Sequence, residues 1–229
     1  MREALQRRRM VRSFDATAIE AELLAEYDVS RPTLRESLTI LKSQGALKRR
    51  PGPGGGIMVN RPTVDMLAHY VSVYLRLHEV PFIDVIQART VIEPALAAEA
   101  ALNATAEDLA GMEASIGRMR ELQSPRDQQA FIEENRVFHA VVARASGNKV
   151  LETFWSTISL LAHGEQHGMR YSGGNQAHVI AAHERILAAF RARDAAAASA
   201  AMRSHVGELE NLVRARDRKR LADPKIGRA

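Results

Sequence analysis

The sequence predicts a mainly α protein in two parts: an N-terminal helix-turn-helix with a small β-hairpin wing, and a C-terminal all-α antiparallel bundle of about seven helices. Three observations predict it. Leu34, Leu38 and Leu41 recur at helical spacing and give residues 29–45 one apolar stripe. The run Pro51-Gly-Pro-Gly-Gly-Gly56 separates Ala46-Leu-Lys-Arg-Arg50 from Ile57-Met-Val59, as a turn separates two short strands. From Thr63 onward the pattern is helical with almost no strand signal.

Each element has its own signals. Thr17 and Glu20 have the spacing of a capping box, opening a helix with apolar positions Ile19, Leu23, Leu24 and Tyr27. Asp28 and Val29 make a tight turn into a second helix that starts at Ser30. Pro32 falls in the first turn of that helix, where a missing N–H costs little, and Gly45 stops it. Arg31, Arg35 and Lys42 lie off the leucine stripe, where they can face a partner. A short helix with arginines near its N-terminal end suits a DNA major groove.

Asn60-Arg-Pro-Thr63 is a polar joint, and the domain boundary is placed there, giving a DNA-reading domain over 1–62 and a helical domain over 63–216. Helices are expected over 63–77, 82–102, from the Thr105 cap to 122, from Ser124-Pro125 to Ser146, 149–163, 176–192 and 194–216. The glycine-rich segment 164–175 is expected to be a mobile loop. Residues 217–229 read as a basic disordered tail, with an auxiliary DNA contact as the alternative.

Composition narrows the function. The chain has 229 residues, 46% of them hydrophobic, enough for real cores. It has no cysteine, which excludes disulfides and thiolate metal sites and fits a reducing cytoplasm. No stretch has the length and apolarity of a membrane span or secretion signal, so cytoplasmic location and no membrane partner are expected. Residues 1–62 hold 12 Lys/Arg against 7 Asp/Glu, residues 63–213 hold 13 against 18, and residues 214–229 hold 7 against 2. A basic head and tail around an acidic middle point to nucleic acid at one end. The wing glycines Gly52, Gly54, Gly55 and Gly56 are not a phosphate loop, for no Gly-Lys-Ser/Thr follows them.

Within the helical part, Asn135 and His139 are four apart and share one helix face, while His183 and His205 stand on the last two helices. Three imidazoles converging from three helices are a possible divalent-metal site, against hydrogen-bonded core histidines as the plainer alternative. His163, His167 and His178 read as solvated or supporting, and Phe154 and Trp155 as core or pocket lining.

The ordered run Val29-Ser-Arg-Pro-Thr-Leu-Arg-Glu-Ser-Leu38, then Gly45-Ala-Leu and the glycine-rich wing, resembles the winged helix of GntR-family transcription regulators. Arg89-Thr-Val-Ile-Glu93-Pro94, Asn135-Arg-Val-Phe-His139, Ser146-Gly-Asn148, His183 with Asp194 beyond it, and His205 are similar to the FCD ligand-binding domain of the FadR subfamily. The resemblance spans nearly the whole chain. It implies DNA contacts at Ser30, Arg31, Thr33, Arg35 and Arg50, and at Gly54 and Gly55 of the wing. It implies a metal held by Asn135, His139, His183 and His205, with Asn135 standing where Asp is usual. Zinc is expected, with nickel or manganese as alternatives. It implies a small carboxylate effector met by Arg89 and Asn148, although an internal salt bridge to Glu93 is an alternative role for Arg89.

The function expected is a homodimeric, ligand-responsive transcription regulator acting on operator DNA, a repressor rather than an enzyme. A regulator whose effector is the metal itself, and a metal-dependent hydrolase, are the alternatives; against the hydrolase, no carboxylate is evidently poised as a base. About sixteen residues precede the capping-box helix, where that family usually has a full helix and strand, which implies an abbreviated or late-started N-terminus.

Overall fold

The expected turn after the first helix is present: residues 23–27 are helical and end at Asp28, whose φ of 49° is a left-handed value that Asp tolerates. The computed structural model describes residues 23–50, 56–124, 126–162 and 173–222. The capping box at Thr17 and Glu20, the wing-tip residues Gly54 and Gly55, and the segment holding His163 and His167 lie outside the described residues.

Helix α1 (Arg31–Ser43) is capped by Ser30, whose hydroxyl accepts from the Thr33 N–H, and it buries Leu34 and Leu41. Gly45 follows with φ +70°, and a Cβ there would meet Met66 Cε at 3.2 Å. Strands β1 (Leu47–Arg50) and β2 (Gly56–Val59) pair antiparallel, Leu47 opposite Val59 and Arg50 opposite Gly56. Asn60 ties the hairpin to the helix end, its Nδ2 donating to the Gly45 carbonyl at 2.8 Å.

Seven helices make up the remainder of the described chain: α2 (Val64–Leu77), α3 (Phe82–Asn103), α4 (Ala106–Glu121), α5 (Gln128–Ala145), α6 (Lys149–Leu161), α7 (Gly173–Arg191) and α8 (Ala195–Ala222). The chain divides into two compact units between Met66 and Leu67, inside α2 rather than at the Asn60–Thr63 joint. The first turn of α2 goes with the hairpin because Met66 packs beside Gly45 and Asn60.

In the second unit α3 is central, packed on α5, α6, α7 and α8. Ala97, Ala100 and Ala101 are fully buried on it, and small side chains let neighbouring helices approach closely. The main core gathers Met112, Met119, Phe131, Phe138, Ile186, Phe190 and Met202. Trp155 packs with Leu96 and Ala143 in a smaller cluster, so it is a core residue.

Three helix bounds differ from expectation. Helix α5 starts at Gln128, because Ser124 organises a separate turn in which its carbonyl accepts from the Asp127 N–H and its hydroxyl from the Arg126 N–H. Helix α7 starts at Gly173, inside the stretch expected to be loop, since two glycines mask the helix by their poor propensity. Helix α8 runs to Ala222, so residues 217–222 are helical rather than a disordered tail. Buried Val213, the Glu210–Arg214 pair and the Arg216 guanidinium over the Phe82 ring anchor a segment whose charge hides its apolar periodicity.

Helix α4 opens on a capping box. The Thr105 hydroxyl accepts from the Asp108 N–H at 3.1 Å, and the Asp108 carboxylate accepts from the Thr105 N–H at 3.0 Å and from Arg144 Nη2 at 2.8 Å. Burial opposes the ionised carboxylate, but these bonds from Arg144 and Thr105 outweigh it and hold Asp108 below its ordinary 3.8. Asp108→Asn is expected to lower stability by about 1 kcal/mol at neutral pH. The depressed native pKa makes that contribution present above the ordinary carboxylate range and lost as pH falls through the native value. Urea midpoints of the two proteins should therefore converge as the solution is acidified.

Candidate functional site

Three buried imidazoles meet inside the helical unit. His139 comes from α5, His183 from α7 and His205 from α8. His205 Nε2 lies 3.1 Å from His139 Nε2 and 3.1 Å from His183 Nε2, and one nitrogen from each ring falls within 4.8 Å of the others. Neighbouring aromatic contacts fix the planes. The Phe138 ring stacks on His183 with centroids 3.8 Å apart and a 6° tilt, and stands edge-on to His139.

A charged pair lies behind the rings. Glu93, on α3 and 1% exposed, reaches Arg89 Nε with Oε1 at 2.5 Å and His139 Nδ1 with Oε2 at 2.5 Å. The second contact is an ion-pair approach without hydrogen-bond alignment. Burial alone would raise the Glu93 pKa, but Arg89 and His139 together hold it far below the ordinary carboxylate range. The His183 pKa is driven well below 6.5 by burial first, then by the charges of His205, His139 and Arg89. Burial and His139 likewise push His205 down to about 3, against the opposing pull of Glu93. At neutral pH His183 and His205 are thus neutral, the form that ligates metals.

This site concentrates polar atoms left unsatisfied among the described residues. Asn135 Oδ1 and Nδ1 of His183 and His205 are buried without a hydrogen-bond partner, Glu93 Oε2 and His139 Nδ1 have only their mutual ion-pair contact, and elsewhere among the described residues Gln176 Nε2 is also unsatisfied. Protons alone serve the cluster badly, because each imidazole nitrogen holds either one proton or one lone pair, and His205 Nε2 faces two neighbours at once. A cation ligated by nitrogen at about 2.0–2.1 Å in tetrahedral geometry places its ligands roughly 3.3 Å apart, near the two 3.1 Å separations from His205 Nε2. The residues therefore fit a divalent metal through Nε2 of His139, His183 and His205.

A pocket with about 50 Å³ open to the centres of water-sized molecules adjoins the cluster, enough for a few waters or a small ligand group. Its polar lining includes Arg89, Asn135, Asn175, His178, His205 and Glu208.

Comparison with known proteins shows the family. The FCD domain profile matches residues 84–208, over half of the chain, and the profile of bacterial regulatory proteins of the gntR family matches residues 18–57. This chain belongs to the GntR family and carries an FCD domain. It is 26% identical over 203 residues to the Uxu operon regulator of Haemophilus influenzae, covering 86% of this chain and 72% of that protein. It is 30% identical over 151 residues to the HTH-type transcriptional repressor NanR of Cronobacter sakazakii, covering 65% of this chain and 56% of that protein. Among solved structures, Streptococcus agalactiae GntR superposes with a TM-score of 0.62 at 23% identity, covering 84% of this chain and 87% of that one, a likeness of fold. The GntR/FCD protein is a DNA-binding transcription regulator; its homologues are regulators, and the hydrolase alternative is set aside.

The FCD domain brings together most of the residues singled out in the sequence. His139, His183 and His205 form the triad, and Asn135 and Arg89 line the adjoining pocket. Arg89 also makes the internal ion pair with Glu93, the alternative role given to it in the sequence. Asn148 lies apart from this pocket. It is exposed and caps α6, its Oδ1 accepting from the Val150 and Leu151 N–H groups at 3.1 Å, and it does not line the pocket. The Ser-Gly-Asn pattern there is a helix break followed by a cap. His178 lines the pocket, a position that its helix alone did not disclose. The link from Glu93 to His139 was missed as well. A glutamate amid Thr90, Val91, Ile92 and Pro94 was its only sequence signal, and a partner 46 residues away has no local trace.

In the GntR domain, Ser30, Arg31, Thr33 and Arg35 are exposed at the N-terminal end of α1. The Ser30 and Thr33 hydroxyls bond each other at 2.8 Å, which fixes the first turn. Arg50 ends β1 at the base of the wing. No helix among the described residues is long and apolar enough to cross a membrane.

Proposed function

We propose that this GntR/FCD regulator is a cytoplasmic repressor whose operator binding is controlled by a small organic acid, bound together with a divalent metal in the helical domain. The observation that carries the reading is the meeting of three buried imidazoles beside a pocket that also contains an arginine. When bound, the metal, with zinc expected, supplies a Lewis-acidic centre for a carboxylate oxygen. Arg89 offers a guanidinium whose fork geometry suits the same carboxylate, while Glu93 holds that guanidinium in place. Glu93 also orients His139, and Asn135 Oδ1 is the fourth donor on the same helix face.

On the DNA side, Ser30, Arg31, Thr33 and Arg35 enter the major groove, while Arg50, Gly54 and Gly55 belong to a wing that follows the backbone or minor groove. Two copies reading successive half-sites make the active species. An apolar stripe on α2 supports the homodimer: Leu67, Tyr70, Tyr74 and Leu77 follow helical spacing, with Tyr70 62% and Leu77 79% exposed. The repressor assignment draws on the relative NanR, described as a transcriptional repressor.

Gel shifts on operator fragments, run with zinc and a panel of small carboxylic acids, test the proposal. One acid should release the wild-type protein, with a coupling of about 1–3 kcal/mol. Arg35→Ala should lose about 1–3 kcal/mol of operator affinity without acid, for it is exposed and removes a groove-facing cation rather than core. Unchanged affinity of that variant would exclude α1 as the reading helix.

A further inference from the structure

We infer that Asn135 makes metal and acid binding interdependent in this protein: the site holds a divalent cation tightly only together with a carboxylate, and the carboxylate tightly only together with the cation. This rests on the metal-and-acid reading above and adds the order of dependence.

The reason is a charge inventory of the site. Imidazoles ligate a metal as neutral rings, and the amide of Asn135, whose Oδ1 is buried and lacks a hydrogen-bond partner, brings no charge either. Among the described residues, the carboxylate that contacts the cluster, Glu93, faces His139 Nδ1 rather than the convergent Nε2 atoms, and it is paired with Arg89. Two solvent-exposed charges stand farther out, Arg185 near His205 and Glu208 in the pocket lining, and they are of opposite sign. Among the described residues, a dication entering this buried cluster therefore finds donors but no net negative charge, and burying an uncompensated charge is costly. The adjoining pocket, lined by Arg89, Asn135 and His205, has room for one small anion beside the rings. A carboxylate there supplies the missing charge, and the cation in turn supplies the carboxylate's strongest partner. Linkage requires that the two effects be equal.

The test uses the full-length protein and cobalt(II), whose visible bands report ligation directly, titrated in acetate-free buffer and again in excess acetate. Wild-type affinity for cobalt should rise at least about tenfold in acetate. Asn135→Asp, which builds the missing charge into the chain, should bind cobalt tightly in both buffers, with acetate changing its affinity less than about twofold. Equal cobalt affinity of the wild-type protein with and without acetate would overturn the inference while leaving the metal site intact. So would an equal acetate effect on the two proteins. No cobalt ligation by either protein in either buffer would overturn the metal reading itself. The wild-type comparison needs no variant, so it stands even if Asn135→Asp folds poorly.

Discussion

Glu93→Gln is expected to destabilise the helical domain by about 3 kcal/mol, the upper range for a single substitution. Glu93 is 1% exposed and touches Arg89 on one side and His139 on the other. The amide preserves volume but removes the charge that the Arg89 guanidinium, 11% exposed, and the His139 ring both face in the protein interior. The penalty arises from the partner left behind, so removing both should recover part of it. In a double-mutant cycle with Arg89→Met, the pair of changes should cost clearly less than the sum of the singles. Urea denaturation at neutral pH measures each corner of the cycle. A loss below about 1 kcal/mol for Glu93→Gln would mean that the carboxylate is not the anchor of the cluster.

His205→Ala is expected to abolish the stabilisation that zinc confers in the presence of acetate. Of the three rings, His205 alone has its Nε2 shown within 3.1 Å of both others, so its loss leaves two nitrogens without the one that joins them. A ligand present at about a hundred times its dissociation constant raises stability by about 2.7 kcal/mol, a readily measured thermal shift. The variant should show no zinc-dependent shift and no retained zinc after dialysis by elemental analysis. His178→Ala is the control, for it lines the same pocket outside the triad and should keep the shift. Any cavity left by the truncation affects the metal-free protein equally, so the difference between the two conditions isolates ligation.

Much of this was written in local sequence patterns. Leu34 and Leu41 are buried where their spacing places them, and Thr105 with Asp108 forms the capping box that Thr-x-x-Asp announces. The three histidines stood out because an imidazole on an apolar helix face needs a partner, and each proved buried. What stayed hidden depended on long-range partners or on weak local propensity. Glu93 reaches His139 on another helix, and no periodicity encodes that meeting. Asn148 has a legible local role, for a helix break followed by Asn announces the cap that it forms on α6. Helix α8 ran beyond its expected end because buried Val213 and the Arg216 guanidinium over the Phe82 ring anchor a segment whose charged pattern does not announce them.

The imidazole cluster has a consequence for how this chain is held closed. His183 and His205 lie 22 positions apart, and His139 and His205 lie 66 apart. An ion shared by the three rings is therefore a covalent-like staple across two long loops, and such closures restrict the unfolded chain most when the loops are long. With the proposed ion bound, a protein with no cysteine would possess the analogue of a disulfide, fastened or released by the supply of an ion rather than by oxidation.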